Sequence, residues 1–180
     1  MNYHIAICDD STTDLDYISV LVTDWAKVSG NTVNIKAFPS AEAFLFTYED
    51  DKNFDILLLD IEMGGMDGVQ LAKEVRRDNE TIQIVFITGY SDYVTEGYEV
   101  SALHYLMKPV QKEKLFEVLE RAVQKIKKNE RVLMLELSGE MVCIPFYEIR
   151  YLEVCQNYVT IHGINKYNHL FSCVNDWFIL

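Results

Sequence analysis

Over its first two thirds the chain alternates short apolar runs with amphipathic stretches. Residues 54–60, Phe-Asp-Ile-Leu-Leu-Leu-Asp, form an even apolar run without helical spacing. This predicts a strand buried on both faces that ends in the carboxylate of Asp60. Residues 4–8 form a similar run ending at Asp9-Asp10, and residues 82–87 another ending at Thr88-Gly89. Residues 32–38 alternate as a half-buried strand, and residues 104–107 make a short fifth strand before Lys108-Pro109. Between these runs the spacing becomes helical. Leu15, Ile18, Leu21, Val22 and Trp25 share one face of a helix that Asp10 or Ser11 can cap and Gly30-Asn31 ends. Pro39-Ser40 opens a second helix running through Phe46, and residues 67–77 carry Val69, Ala72 and Val75 on a third. Residues 92–100 predict a short fourth helix. Residues 112–128 predict a fifth, burying Leu115, Val118, Leu119, Ala122, Val123 and Ile126.

Five strand–helix alternations predict an α/β fold: a doubly wound, five-stranded parallel sheet covered on both faces. The pattern changes near Asn129-Glu130. Residues 131–137, 141–144, 149–154 and 158–162 have the spacing of antiparallel hairpins, with a turn at Ser138-Gly139-Glu140. Two domains are therefore expected, residues 1–128 and a smaller all-β unit over residues 129–180. After Asn168 the strand pattern dissolves and the chain ends on Trp177-Phe178-Ile179-Leu180, so the expectation is an incomplete β unit, truncated or frameshifted.

Composition narrows the classes. An apolar content of 49% in 180 residues supports a packed core. No run of apolar residues is long enough to span a membrane, and the start lacks a signal peptide's pattern, so a cytoplasmic protein is expected. Cys8, Cys143, Cys155 and Cys173 form no CxxC pair and read as reduced, buried thiols rather than a zinc site. A net charge of −12 disfavours indiscriminate binding to nucleic acid or acidic membranes.

In a parallel sheet the carboxyl ends of the strands lie along one edge, where such folds bind ligands. Asp9, Asp10, Asp60, Thr88 and Lys108 all fall at those ends and become neighbours. Singly they have ordinary readings, as a helix cap, a solvated carboxylate, a turn and a surface corner. Together they suit one chemistry. Three carboxylates repel and raise one another's pKa values, which a hard divalent cation relieves. Mg²⁺ fits, since it takes a few carboxylates and keeps its other positions for water and phosphate oxygens. Lys108 can pair with phosphate, Thr88 can donate to a phosphoryl oxygen, and Asp60 can attack phosphorus.

These residues, with Asp60 in LLLDIEMGGMDG, Thr88 in VFITG, Tyr105 in ALHYLMKP and Lys108-Pro109, resemble the receiver domain of two-component response regulators over residues 1 to about 125. The resemblance implies a flavodoxin-like receiver that is phosphorylated on Asp60 by a partner sensor histidine kinase. It implies Mg²⁺ bound directly by Asp10 and Asp60, by Asp9 through water, and by the backbone carbonyl of Glu62. It further implies Thr88 and Tyr105 as a switch pair, Lys108 as a phosphate contact, a cis peptide at Lys108–Pro109, and a homodimer on phosphorylation. A haloacid-dehalogenase-like phosphatase also uses an Asp nucleophile and Mg²⁺. Such enzymes carry a DxDxT pattern at the first strand, whereas here Asp60-Ile61-Glu62 follows the third, so an enzyme is not expected.

The region from Glu130 resembles the start of a LytTR-type DNA-binding domain. Residues 149–154, Ile-Arg-Tyr-Leu-Glu-Val, and 157–162, Asn-Tyr-Val-Thr-Ile-His, carry that likeness. It implies transcription control through DNA. Asn157 and His162 stand where loop contacts to DNA would fall, and also read as a turn residue and a solvated strand end. From Glu130 onward three basic residues face six acidic ones, a net −3, where phosphate contact needs a basic surface. The alternative is a receiver without DNA-binding output, serving as a phosphate sink or interaction module.

Overall fold

The computed structural model describes residues 1–89, 99–129, 131–137, 140–155, 158–163 and 168–172. The chain divides into two compact units, Met1–Val123 and Gln124–Leu180.

The first unit is built on five parallel strands: β1 (Asn2–Cys8), β2 (Thr32–Phe38), β3 (Ile56–Leu59), β4 (Gln83–Thr88) and β5 (His104–Met107). They lie in the order β2-β1-β3-β4-β5. β1 reaches back to Asn2, further than the apolar run alone indicated, because Asn2 is already in register with Thr32 of β2. β3 and β4 are buried at every position, as expected for strands covered on both faces, whereas edge strand β2 alternates. Ala6, Cys8, Leu57, Leu59, Ile84 and Phe86 form one face of the sheet. They join a core with Ala41, Phe44 and Tyr48 of α2 (Ala41–Asp50) and Val69, Leu71, Ala72 and Val75 of α3 (Gly68–Asp78).

Helix α1 (Thr12–Ser29) starts at Ser11, whose hydroxyl accepts from the Asp14 amide at 3.3 Å. It ends at Gly30 in the left-handed region, φ 69°. Trp25 of α1 is buried, and its Nε1 donates to Glu120 of α4 (Lys112–Asn129) at 3.0 Å. Helix α2 continues past Phe46 to Asp50. Tyr48 stacks on Phe44 one turn earlier, with ring centroids 5.3 Å apart, and this extends the buried stripe. The helix predicted over residues 92–100 falls largely outside the described residues.

In the second unit β6 (Val132–Leu137) pairs with β7 (Glu140–Pro145). A 3-10 turn at Phe146–Glu148 leads to β8 (Ile149–Cys155), β9 (Tyr158–Gly163) and β10 (Asn168–Ser172), ordered β10-β9-β8. Strand β10 corrects the sequence reading, which had the pattern dissolve after Asn168. The segment pairs antiparallel with β9, from Asn168 opposite His162 to Ser172 opposite Tyr158, so backbone pairing supplies what its polar ends hide. A small core joins Leu133, Ile144 and Ile161. The expectation of uniformly buried thiols also needs correction. Cys8 is buried but Cys143 is exposed, because the two-residue period of β7 turns Ile144 inward and Cys143 outward. Burial pushes the Cys8 thiol far up, with the Asp9 carboxylate adding to it. Among the described residues no helix is long and apolar enough to cross a membrane.

Candidate functional site

Sheet register builds the site. Ile5 is in register with Ile56 and Ile7 with Leu58, so one step beyond the paired strands Asp9 and Asp60 share a face and a level. Ile87 is in register with Leu106, which sends Lys108 to the same side. The side chains meet accordingly. Lys108 Nζ donates to Asp9 Oδ2 at 2.6 Å, to Asp60 Oδ2 at 2.6 Å and to Asp14 Oδ2 at 2.8 Å. Three carboxylates thus take up the three donors of one ammonium. Asp9 and Asp60 are only 1% and 6% exposed, whereas Asp10 is exposed.

Each carboxylate has further partners. Asp9 Oδ1 accepts from the Ser11 amide at 2.9 Å, Asp60 Oδ1 from the Glu62 amide at 3.3 Å, and Asp10 Oδ2 from the Gly64 amide at 3.3 Å. Burial raises the Asp9 carboxyl above its usual range, and the Asp60 charge adds to this. Hydrogen bonds from Lys108 and Ser11 offset only part of it. Burial alone would lower the Lys108 ammonium, but hydrogen bonds to Asp14, Asp60 and Asp9 overcome that and carry it well above the ordinary lysine value.

Carboxylate oxygens of Asp9, Asp10 and Asp60 lie within 4.8 Å of one another. An all-oxygen donor set of this kind, with one member exposed, fits a hard cation such as Mg²⁺. Two of the three members are nearly dry and share a single lysine, so a divalent cation would relieve charge that Lys108 alone leaves in excess.

The other predicted residues sit around this crevice. Thr88 ends β4 and is fully buried, and its carbonyl accepts from the Lys108 amide at 2.8 Å. Tyr105 is half-buried, in register with Phe86, with ring centroids 6.0 Å apart. The Lys108–Pro109 peptide is cis. Glu62 is exposed in the loop after Asp60. In the second unit His162 lies in β9, with its Nε2 3.0 Å from Glu153 Oε2 and its ring stacked on Tyr151 at 4.2 Å. Asn157 lies outside the described residues.

Two residues escaped the sequence reading. Asp14, an acidic residue in the first turn of α1, is a partner of Lys108. Gly68 is the first residue of α3. A Cβ there would lie 2.0 Å from the Asp60 carbonyl oxygen, so only glycine lets α3 start this close to the site. The one available signal was spacing: Asp14 stands one helical turn past Asp10, and Gly68 opens the helix after the Asp60 loop.

The fold and this edge define a flavodoxin-like domain with an acidic, lysine-bridged crevice at its strand ends. Residues 5–120 match the response regulator receiver domain, and the chain belongs to that family. It is similar to the positive alginate biosynthesis regulatory protein of Pseudomonas aeruginosa, 33% identical over 119 residues, covering 66% of this chain and 46% of that protein. It is similar to the sensory transduction protein LytT of Oceanobacillus iheyensis, 25% identical over 175 residues, covering 92% of this chain and 69% of that one. The response regulatory domain of mrkE from Klebsiella pneumoniae shares the fold, with a TM-score of 0.63 and 24% identity over 69% of this chain and 98% of that one. The chain spans under half the length of the Pseudomonas regulator.

Proposed function

We propose that this chain is the phosphoacceptor of a two-component system, taking a phosphoryl group on Asp60 from a sensor histidine kinase in the cytoplasm. The observation that carries this reading is the Asp60 carboxylate, nearly dry at a strand end, 2.6 Å from Lys108 Nζ and grouped with Asp9 and Asp10. A carboxylate oxygen of Asp60 forms the new bond to phosphorus as the bond to the kinase histidine nitrogen breaks, and that nitrogen keeps the electron pair. Lys108 gives up its bond to Asp60 and donates to the phosphoryl oxygens, still oriented by Asp9 and Asp14. Asp10 and Asp60, with the Glu62 carbonyl, would hold Mg²⁺ directly and Asp9 through water; when bound, it offsets the charge gathered on the carboxylates and the phosphoryl oxygens.

Thr88 then donates to the new phosphoryl group and Tyr105 turns inward, biasing a surface toward homodimer formation. The chain acts as a switch rather than an enzyme. Its output is transcription control through a LytTR-type β unit, a reading supported by the alignment to LytT, which runs well beyond the receiver. A second reading, a receiver whose output is not DNA, is favoured by the net −3 from Glu130 onward.

Incubation with acetyl phosphate and Mg²⁺, followed by sedimentation and a gel shift, tests the scheme. A mass increase on phosphorylation is expected, and an unchanged mass speaks against dimerisation. A phosphorylation-dependent shift of a DNA probe favours the transcriptional output, and its absence favours the second reading.

A further inference from the structure

The loop joining β3 to α3 carries the backbone beside Asp60. Its ends are anchored: Ile61 and Met63 are buried, Asp67 caps α3, and the Gly68 amide closes onto the Ile61 carbonyl at 2.9 Å. Its tip, Gly64-Gly65, is exposed and has no side chain with which to hold on. Placement there rests on main-chain N–H groups, and alternate ones end on carboxylates. The Glu62 amide donates to Asp60 and the Gly64 amide to Asp10, both at 3.3 Å, and the Met66 amide donates to Glu42 Oε1 at 2.9 Å.

Glu42 is the odd member of this set. It belongs to the first turn of α2, outside the acidic crevice. The hydrogen bond from the Met66 amide above all, with smaller contributions from the Glu42 amide and the Ser40 hydroxyl, keeps the Glu42 carboxyl below its usual range. The fit is close on the loop side as well. Gly65 has φ 95°, and a Cβ on it would lie 2.6 Å from Glu42 Oε1. The bonds to Asp60 and Asp10 compete with any cation or phosphoryl group those carboxylates take up. The bond to Glu42 does not.

We propose that Glu42 is a positioning residue, a clamp from α2 that holds the β3–α3 loop, and with it the Glu62 carbonyl and Gly64 amide, in place while Asp60 and Asp10 change partners. This rests on the phosphoacceptor reading and adds a residue to it.

The test uses the whole chain, with Glu42→Ala and Glu42→Gln. Gln keeps an oxygen for the Met66 amide but loses the charge. Amide exchange at Met66 is followed without metal, and Mg²⁺ affinity by calorimetry. Glu42→Ala is expected to speed Met66 exchange and to weaken Mg²⁺ binding by roughly threefold to tenfold, the worth of one hydrogen bond. Glu42→Gln is expected to restore both, and the thermal midpoint should stay near wild type in each variant. Unchanged Met66 exchange in Glu42→Ala overturns the clamp. So does unchanged Mg²⁺ affinity, or a Gln variant as impaired as Ala, which would assign the effect to charge at the helix start. A wild-type chain that binds no Mg²⁺ and takes no phosphoryl group would instead overturn the phosphoacceptor reading itself.

Discussion

In the first unit β3 and β4 are buried along their whole length, while in the second unit β8 leaves Tyr151, Leu152 and Val154 exposed. Tyr151 and Leu152 are consecutive, and consecutive strand residues point to opposite faces, so each face of β8 carries an exposed apolar side chain. The contrast concerns how each unit holds its order. The receiver sheet has apolar side chains against both faces and fixes Asp9, Asp60 and Lys108 through strand register. The second unit has a small core around Leu133, Ile144 and Ile161, and its strands are ordered chiefly by hairpin pairing. A site that needs atoms held within tenths of an ångström belongs on the first kind of support.

Core truncation gives the largest expected effect. Leu58→Ala, in the middle of β3, should cost about 2–5 kcal/mol and take phosphoryl uptake with it. Leu133→Ala in the second unit should cost about 2 kcal/mol or less, since that site can collapse more easily, and should leave uptake unchanged. Chemical denaturation beside a phosphorylation assay reads both, and equal losses of uptake would break the contrast.

Gly68→Ala should come next. Its Cβ meets main chain at Asp60, which cannot swing aside, so about 1–3 kcal/mol of stability should go, together with Mg²⁺ binding. A variant that melts and binds Mg²⁺ as wild type does would show that α3 is not tightly seated against the site.

A smaller, graded effect should separate the acidic pair. Asp10 is exposed and spends one oxygen on a long bond to Gly64, whereas both Asp9 oxygens are committed to Ser11 and Lys108. Asp10→Asn should therefore weaken Mg²⁺ binding more than Asp9→Asn, and calorimetry giving the reverse order would exchange their roles.

Much of this was legible in the sequence, for a physical reason. Strands buried on both faces must be apolar throughout, so a polar residue at their ends stands out, and Asp60 and Thr88 could be placed before any distance was known; Asp9 and Lys108 followed from the same alternation at the ends of β1 and the partly buried edge strand β5. Asp14 and Glu42 were not legible in this way. Both are acidic residues in helix first turns, where the helix dipole already accounts for them, and sequence does not show that one reaches Lys108 and the other Met66. Strand β10 escaped because its pairing with β9 is a backbone matter that five residues with polar ends do not announce.

The smallest expected effect concerns DNA. With three basic and six acidic residues from Glu130 onward, the unphosphorylated chain should show no salt-sensitive, sequence-specific binding at submicromolar concentration, the range typical of specific regulators, so that any shift should require phosphorylation. A gel shift across a salt series checks this, and removing residues after Lys128 should leave phosphorylation intact.

The central claim is that Asp60 is the acceptor, and intact-mass measurement after treatment with acetyl phosphate and Mg²⁺ tests it most directly. The account predicts a single added phosphoryl group on the wild-type chain and none on Asp60→Ala. Stoichiometric labelling that persists in Asp60→Ala would contradict it.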